Sequence, residues 1–330
     1  MSNKIDKPKL TPQNLIEKMR DEKGIKFNLI SEKEALDFLS NRNNYLRTSC
    51  YRAYFPKYQA GKNKGKYINL DFAYLKELSI IDMHYRFLVK KMCSDIEHFL
   101  CIQLLNYIDN DPTTDGYDIV EQFLKTHNFV IKNLERTINS PHIGDLIKKY
   151  FSFTSSVNPN TGKTIFNITA YDDCPAWVLI ECLTFGDLLD FYSFYSKSRN
   201  ISLPASRSTL NLVRNLRNGA SHDVCLLCHL TAGTTKPSKE ISSVIKSIST
   251  ISISQRQKKL SSKTIQEFSA LIFVYSVVVL GKVRNHRVME LRDLFFKRMV
   301  EKRSIFKSNE IIETSYDFCC KIINKFLYIT

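Results

Sequence analysis

The sequence predicts a mainly α-helical protein, and three observations carry that expectation. Only 10 Gly and 9 Pro interrupt 330 residues, so the chain has few obligatory breaks and long elements follow. Apolar residues recur at three- and four-residue spacing through most of the chain, the period of a helix with one face against a core. A hydrophobic content of 43% beside 25% charged residues belongs to a folded chain, long enough to bury one large core or two ordinary ones.

The elements can be justified in order. "TPQNLIEKMRDEKG" opens on Thr11 as a cap, sets Leu15, Ile16 and Met19 at helical spacing and stops at Gly24. In "SEKEALDFLSN", Ser31 followed three residues later by Glu34 is a capping box for a second short helix. "GKNKGK" reads as an exposed basic turn. From Leu70 to about Tyr107 the chain reads as one long helix whose inner stripe runs through Leu75, Leu78, Ile81 or Asp82, Tyr85, Leu88, Met92, Ile96, Phe99 and Gln103. Asp82 and Arg86 are spaced to pair on it. "DNDPTTDGYD" breaks the chain, further helices are expected near 118–139 and 142–152, and "SSVNPNTGKT" is a turn-rich connection with a small hairpin as one option.

"PAWVLIECLTFGDLLDFYSFY" begins on Pro175 and is expected to pack Trp177, Leu179 or Ile180, Leu183, Leu188 and Phe191, with Gly186 marking an interruption or a close helix approach. In the next helix Leu212, Leu216, Ala220 and Leu227 share one face while Arg214, Asn218 and His222 recur on another. The polar stretch 231–265 reads as an insertion, either a small hairpin or a loop. "FSALIFVYSVVVLG" at 268–281 is too short for a confident membrane span and reads as a buried helix. Two regions are therefore expected: a basic N-terminal helical extension over 1–70 and a helical domain over 71–330.

Charge is unevenly distributed. Residues 1–70 carry 15 Lys+Arg against 7 Asp+Glu, residues 71–190 carry 10 against 17, and residues 191–330 carry 23 against 9. A formal charge of +15 makes a polyanion the first partner to consider, since phosphate contacts release counterions; solvated lysine faces would give the same count. In "NRNNYLRTSCYRAYFPKYQAGKNKGKY" the cations Arg42, Arg47, Arg52, Lys57, Lys62, Lys64 and Lys66 alternate with aromatics. That composition suits RNA, whose unpaired bases stack on aromatic rings. We read the cations as a nucleic-acid face and the aromatics as core.

"VRNLRNGASHDVCLLCHL" holds two overlapping strings. Cys225, Cys228 and His229 spell Cys-x-x-Cys-His, a haem-attachment pattern in exported proteins. The N-terminus has no apolar core or small-residue cleavage site, and nine cysteines without such a leader argue for reduced thiols in a cytosol. Haem is therefore disfavoured. A zinc site lacks a partner pair, because Cys319 and Cys320 are adjacent; no metal or cofactor is expected, and the cysteines read as small core residues on a helix. The other string is Arg217, Asn218 and His222, an Arg-Asn-x-x-x-His arrangement that offers a phosphate clamp and an acid-base imidazole. The Arg-to-His spacing alone is unspecific, since Arg136 to His142 also matches it, but Pro141 would break a helix there.

With these strings on the page a resemblance emerges. "KPKLTPQNLIEKM", "GIKFNLISEKEALDFLSNRNNYLRTSCYRAYF", "PAWVLIECLTFGDLLDFY" and "LNLVRNLRNGASHD" follow the order and rough spacing of the bacterial abortive-infection D/F family of phage-resistance proteins, within the HEPN superfamily. The resemblance runs from Lys7 to about Leu230. It implies a HEPN-type helical bundle, a phage-defence role and a ribonuclease centre related to those of RNA-guided type VI CRISPR effectors. It also implies a structured noncoding RNA as a restraining or guiding partner. Many members carry a second His and then Arg, Trp and Asn after the catalytic His; Asp223, Cys225, Leu227 and Cys228 stand there in this chain.

The expected activity is a metal-independent endoribonuclease that leaves a 2',3'-cyclic phosphate. Arg217, Asn218 and His222 would be catalytic, and Arg214 would be a further phosphate contact or a plain surface arginine. One motif per chain calls for a homodimer that juxtaposes two histidines. The expected location is the cytoplasm, with no membrane partner. Two other readings stay open: a non-catalytic RNA-binding module of the same fold, and an interaction protein whose basic ends meet acidic partners.

Overall fold

Local capping chemistry sets most helix starts in the computed structural model, which describes residues 9–171, 173–307 and 309–328. Helix α1 (Pro12–Glu17) is capped by Thr11, whose hydroxyl accepts the Asn14 amide at 3.2 Å, and widens into a π turn at Lys18–Glu22. Gly24 ends that segment at φ +67, a conformation costly for other residues. Helix α2 (Glu32–Asp37) carries the Ser31–Glu34 capping box, and a π turn continues it through Arg42. Helix α3 (Tyr45–Ser49) runs into a 3-10 turn at Cys50–Tyr54. The expected basic turn follows, with Gly61 and Gly65 at positive φ.

Helix α4 (Phe72–Asp109) is the long element anticipated. Its buried stripe follows the expected residues as far as Ile96 and then passes through Leu100 and Leu104, not Phe99 and Gln103. Steps of four turn the buried face about 40° per step, which a fixed stripe does not anticipate. After it come α5 (Asp118–Thr126), α6 (Asn128–Thr137) and α7 (Gly144–Tyr150). Strands β1 (Ser152–Val157) and β2 (Thr164–Ala170) form an antiparallel hairpin, pairing Phe153 with Ile168 and Ser155 with Phe166. The turn-rich connection is thus a hairpin.

Helices α8 (Ala176–Cys182) and α9 (Phe185–Ser198) divide the Pro175 segment. The break falls at Leu183–Thr184, where Thr184 caps α9 by accepting the Asp187 amide at 3.3 Å. Gly186 lies inside α9 and marks close approach, since a Cβ there would sit 3.1 Å from Nη1 of Arg214. The expectation for Trp177 needs correction: it is 47% exposed, laid against Gly116 and edge-on to Tyr117. Helix α10 (Arg207–Ser221) buries Leu216 and Ala220 as expected, but with Val213 in place of the half-buried Leu212, and it ends before His222 and Leu227.

The polar stretch after it departs from expectation. Residues 231–238 are irregular, but α11 (Lys239–Lys246) and α12 (Ile253–Leu260) follow. Ser238 caps the first, and a Ser252–Gln255 capping box opens the second. The insertion is therefore mainly a pair of short helices and not a strand hairpin or loop, because Ile241, Ile245 and Leu260 each bury an apolar anchor. Helix α13 (Lys263–Val278) is the apolar run, buried almost throughout. The chain closes with α14 (Gly281–Arg292), a π turn at Asp293–Arg298, the short α15 (Met299–Glu301) and α16 (Arg303–Phe306), and α17 (Glu310–Phe326). Among the described residues no helix is long and apolar enough to cross a membrane.

Two compact units account for the chain. One comprises the described residues up to Met92 with Asn215–Ser276 and the segment from Gly281 onward; the other comprises Cys93–Arg214 with Val277–Leu280. The basic residues before 70 thus share a unit with the C-terminal helices. In the first unit the core gathers Met19, Tyr51, Phe72, Leu216, Leu271 and Ile322. In the second it gathers Phe123, Leu134, Leu188, Phe191 and Tyr192, with Phe123 and Phe191 rings 4.8 Å apart. Buried tyrosines there are satisfied: Tyr192 donates to Gln103 at 2.9 Å and Tyr195 to the Tyr107 carbonyl at 3.0 Å.

Candidate active site

The last turn of α10 anchors itself with Leu216 and Ala220, both fully buried, and leaves its polar side accessible. Arg217 is half-buried, whereas Asn218 and His222 are exposed. Asn218 links them: its side-chain oxygen accepts from Nη1 of Arg217 at 3.4 Å, and its carbonyl accepts the His222 amide at 3.0 Å. His222 sits one residue past the helix end. Asp223 then takes φ +54 and reverses the chain, while the Val224 amide returns to the Gly219 carbonyl at 2.9 Å. An imidazole and a guanidinium carried on one exposed helix end offer a group that can take a proton from a hydroxyl and a cation that can hold a phosphate.

The segment after His222 is held by a buried network. Asp82, fully buried on α4, accepts the Leu227 amide at 2.7 Å and pairs with Arg86. Burial pushes its carboxyl pKa up, against the Leu227 amide and Arg86, which pull it down. Asp223 lies 3.7 Å from Nε of Arg86 and 3.5 Å from Nζ of Lys90. Tyr54, 5% exposed, donates to the Leu227 carbonyl and accepts the Leu230 amide at 3.1 Å. Cys225 precedes a 3-10 turn at Leu226–His229 and Cys228 lies within it; the Cys228 thiol donates to the Cys225 carbonyl at 2.8 Å and the Cys50 thiol to the Arg47 carbonyl at 3.0 Å. Cys225 and Cys228 line no α-helix and both are part-exposed, a correction to their reading as helical core residues. The positions where this chain departs from the family string thus secure the loop that follows His222. Only the Asp82–Arg86 pair was legible in sequence, through its spacing; Cys50 and Tyr54 lie over 170 positions from the turn they meet.

The basic residues separate into groups. Arg47 and Arg52 line one open cleft of about 500 Å³ together with Cys50, Tyr67, Asp223 and Cys225. Arg52 is fixed there, donating to the Ser49 carbonyl at 2.8 Å and to Tyr45 at 3.0 Å. Arg42 is paired with Asp37 at 2.9 Å. Lys57 is exposed with Nζ 4.7 Å from the Tyr67 ring centre, Lys62 and Lys64 are exposed in the turn, and Lys66 packs on Gly24. Arg214 belongs to the second unit, half-buried against Gly186. Tyr51, Tyr54, Phe55 and Tyr67 are core, as expected, while Tyr58 is 40% exposed. Among the described residues no group of three or more His, Cys, Asp or Glu side chains is placed to hold a metal ion.

A family model described as Abi-like protein matches residues 37–227, more than half of the chain, and the chain belongs to that family. Membership supports a role in abortive infection, a form of phage defence. No curated protein and no solved structure matches the chain.

Proposed function

We propose that this abortive-infection protein is a metal-independent HEPN endoribonuclease, acting on RNA as a homodimer and restrained or guided by a structured noncoding RNA. The observation that carries the reading is that one exposed helix end presents Arg217, Asn218 and His222 together, with the Asn218 side chain accepting from Arg217. His222 would take the proton of a ribose 2'-hydroxyl as its oxygen attacks phosphorus, and Arg217 would stabilise the charge of the phosphorane. Asn218 would position both. The 5'-oxygen then leaves with a proton from an acid, which a twofold dimer would supply as a second imidazole. The products are a 2',3'-cyclic phosphate and a 5'-hydroxyl, and DNA, lacking the 2'-hydroxyl, is inert. The cleft carrying Arg47 and Arg52 supports an RNA path in the same unit.

Purified protein freed of co-purifying RNA, incubated with single-stranded RNAs in excess EDTA beside His222→Ala, tests this. Cyclic-phosphate fragments from the wild type alone are expected. Intact RNA with salt-sensitive binding by both proteins would point to a non-catalytic RNA-binding module, and no binding to an interaction protein.

A further inference from the structure

Of the nine cysteines, Cys50 is brought by the fold to Cys225 and Cys228, more than 170 positions further along the chain. The Cys50–Tyr54 turn packs on the Leu226–His229 turn, fastened by Tyr54 at Leu227 and Leu230 and by Asp82 at Leu227. This places Cys50 beside the segment that carries Cys225 and Cys228, with Cys50 and Cys225 both on the lining of one cleft. A metal is a poor account of the trio. Among the described residues no group of three or more His, Cys, Asp or Glu side chains is placed to hold one, and the nearby Asp82 carboxylate is already taken by the Leu227 amide and Arg86.

We propose that the trio is a peroxide-reactive site, with Cys225 the attacking thiolate and Cys50 the thiol that resolves it into a Cys50–Cys225 disulfide. Access and acidity single out Cys225. It lines the open cleft with Cys50, Arg47 and Arg52, wide enough for a small hydroperoxide. Its polar neighbours Cys50 and Tyr51 and the charge of Arg86 lower its pKa, against burial and Asp82. Cys228 is lowered as well but does not line the cleft, whereas burial pushes Cys101 up to about 12 and Cys320 to about 11. Cys93, Cys174, Cys182 and Cys319 are buried.

The electrons balance in two steps. The Cys225 thiolate attacks one peroxide oxygen, the O–O bond breaks, and hydroxide leaves to be protonated by solvent, giving a sulfenic acid. Cys50 then loses its proton as its sulfur attacks the sulfenic sulfur; the S–O bond breaks and water leaves. Two thiols are oxidised by two electrons and one hydrogen peroxide becomes two waters. The new bond would tie the Cys50–Tyr54 turn to the loop that begins one residue after His222, and a dithiol would reverse it.

Reduced full-length protein would be treated with one equivalent of hydrogen peroxide, its remaining thiols alkylated and its peptides mapped by mass. The expected result is a Cys50–Cys225 cross-linked peptide, lost on adding dithiothreitol. Without peroxide, iodoacetamide at pH 7 should label Cys225 roughly tenfold or more faster than Cys101 or Cys320. In Cys50→Ser, a dimedone-type probe should trap the sulfenic acid on Cys225. A Cys225–Cys228 cross-link, or Cys225 labelling no faster than Cys101 in the wild type, would overturn the proposal. The labelling arm needs no variant, and neither readout depends on RNA cleavage.

Discussion

Replacing Glu267 with glutamine is expected to stabilise the protein at pH 8 and to change little at pH 5. The side chain is 4% exposed on α13, its Oε1 has no hydrogen-bond partner, and the nearest cation, Lys263 at 3.9 Å, is 68% exposed and well hydrated. Burial therefore dominates and pushes the carboxyl pKa from 4.5 up to about 7. Because the folded value lies above the unfolded one, the fold holds this proton more tightly. The associated stability is full below pH 4.5 and is lost as pH rises through about 7. At about 1.4 kcal/mol per decade, that span bounds the loss at roughly 3 kcal/mol. Glutamine keeps the shape and never ionises, so it should recover about 1.5–3 kcal/mol at pH 8 and only a fraction of that at pH 5. Urea unfolding followed by circular dichroism at the two pH values measures the difference. A stabilisation of equal size at both, or a loss at pH 8, would refute the reasoning.

Three further outcomes follow from the geometry. Tyr54→Phe leaves the Leu227 carbonyl and the Leu230 amide without their partner and should cost about 2–3 kcal/mol, seen as a lower urea midpoint; Tyr45→Phe, at a more exposed hydroxyl, should stay within about 0.5 kcal/mol. Gly116→Ala places a Cβ 3.0 Å from the Trp177 ring at φ +81 and should destabilise by about 1–3 kcal/mol, with a shift in the emission of the single tryptophan. Arg217→Lys retains the charge but loses the guanidinium fork, so cleavage in the RNA assay should fall by roughly a hundredfold while thermal stability holds; an unchanged rate would remove Arg217 from the proposed mechanism.

Much of the fold was legible because its signals are local. A cap and its amide lie three residues apart, as at Thr11 and Ser31, and a helix face repeats within a turn, as along α4 from Leu75 to Ile96. Asn218 reaches only a neighbour and the next turn, so the Arg217–His222 helix end could be read from spacing alone. The insertion was misread because its polar surface residues outnumber the anchors Ile241, Ile245 and Leu260, whose burial depends on what packs over them. Trp177 failed for a related reason: its size suggested core, while its place was set by the open surface around Gly116.

By itself the sequence determined the helical class, the basic ends, the helix starts and the candidate residues Arg217, Asn218 and His222. Only the tertiary structure decided that Asp82, Tyr54 and Cys50 converge on the loop behind His222, and that Arg47 and Arg52, but not Arg214, share a cleft with it. The physical reason is distance along the chain. Hydrogen bonds and side-chain contacts act over a few ångströms, and groups 145 or more residues apart leave no periodic trace until a buried core brings their backbones together.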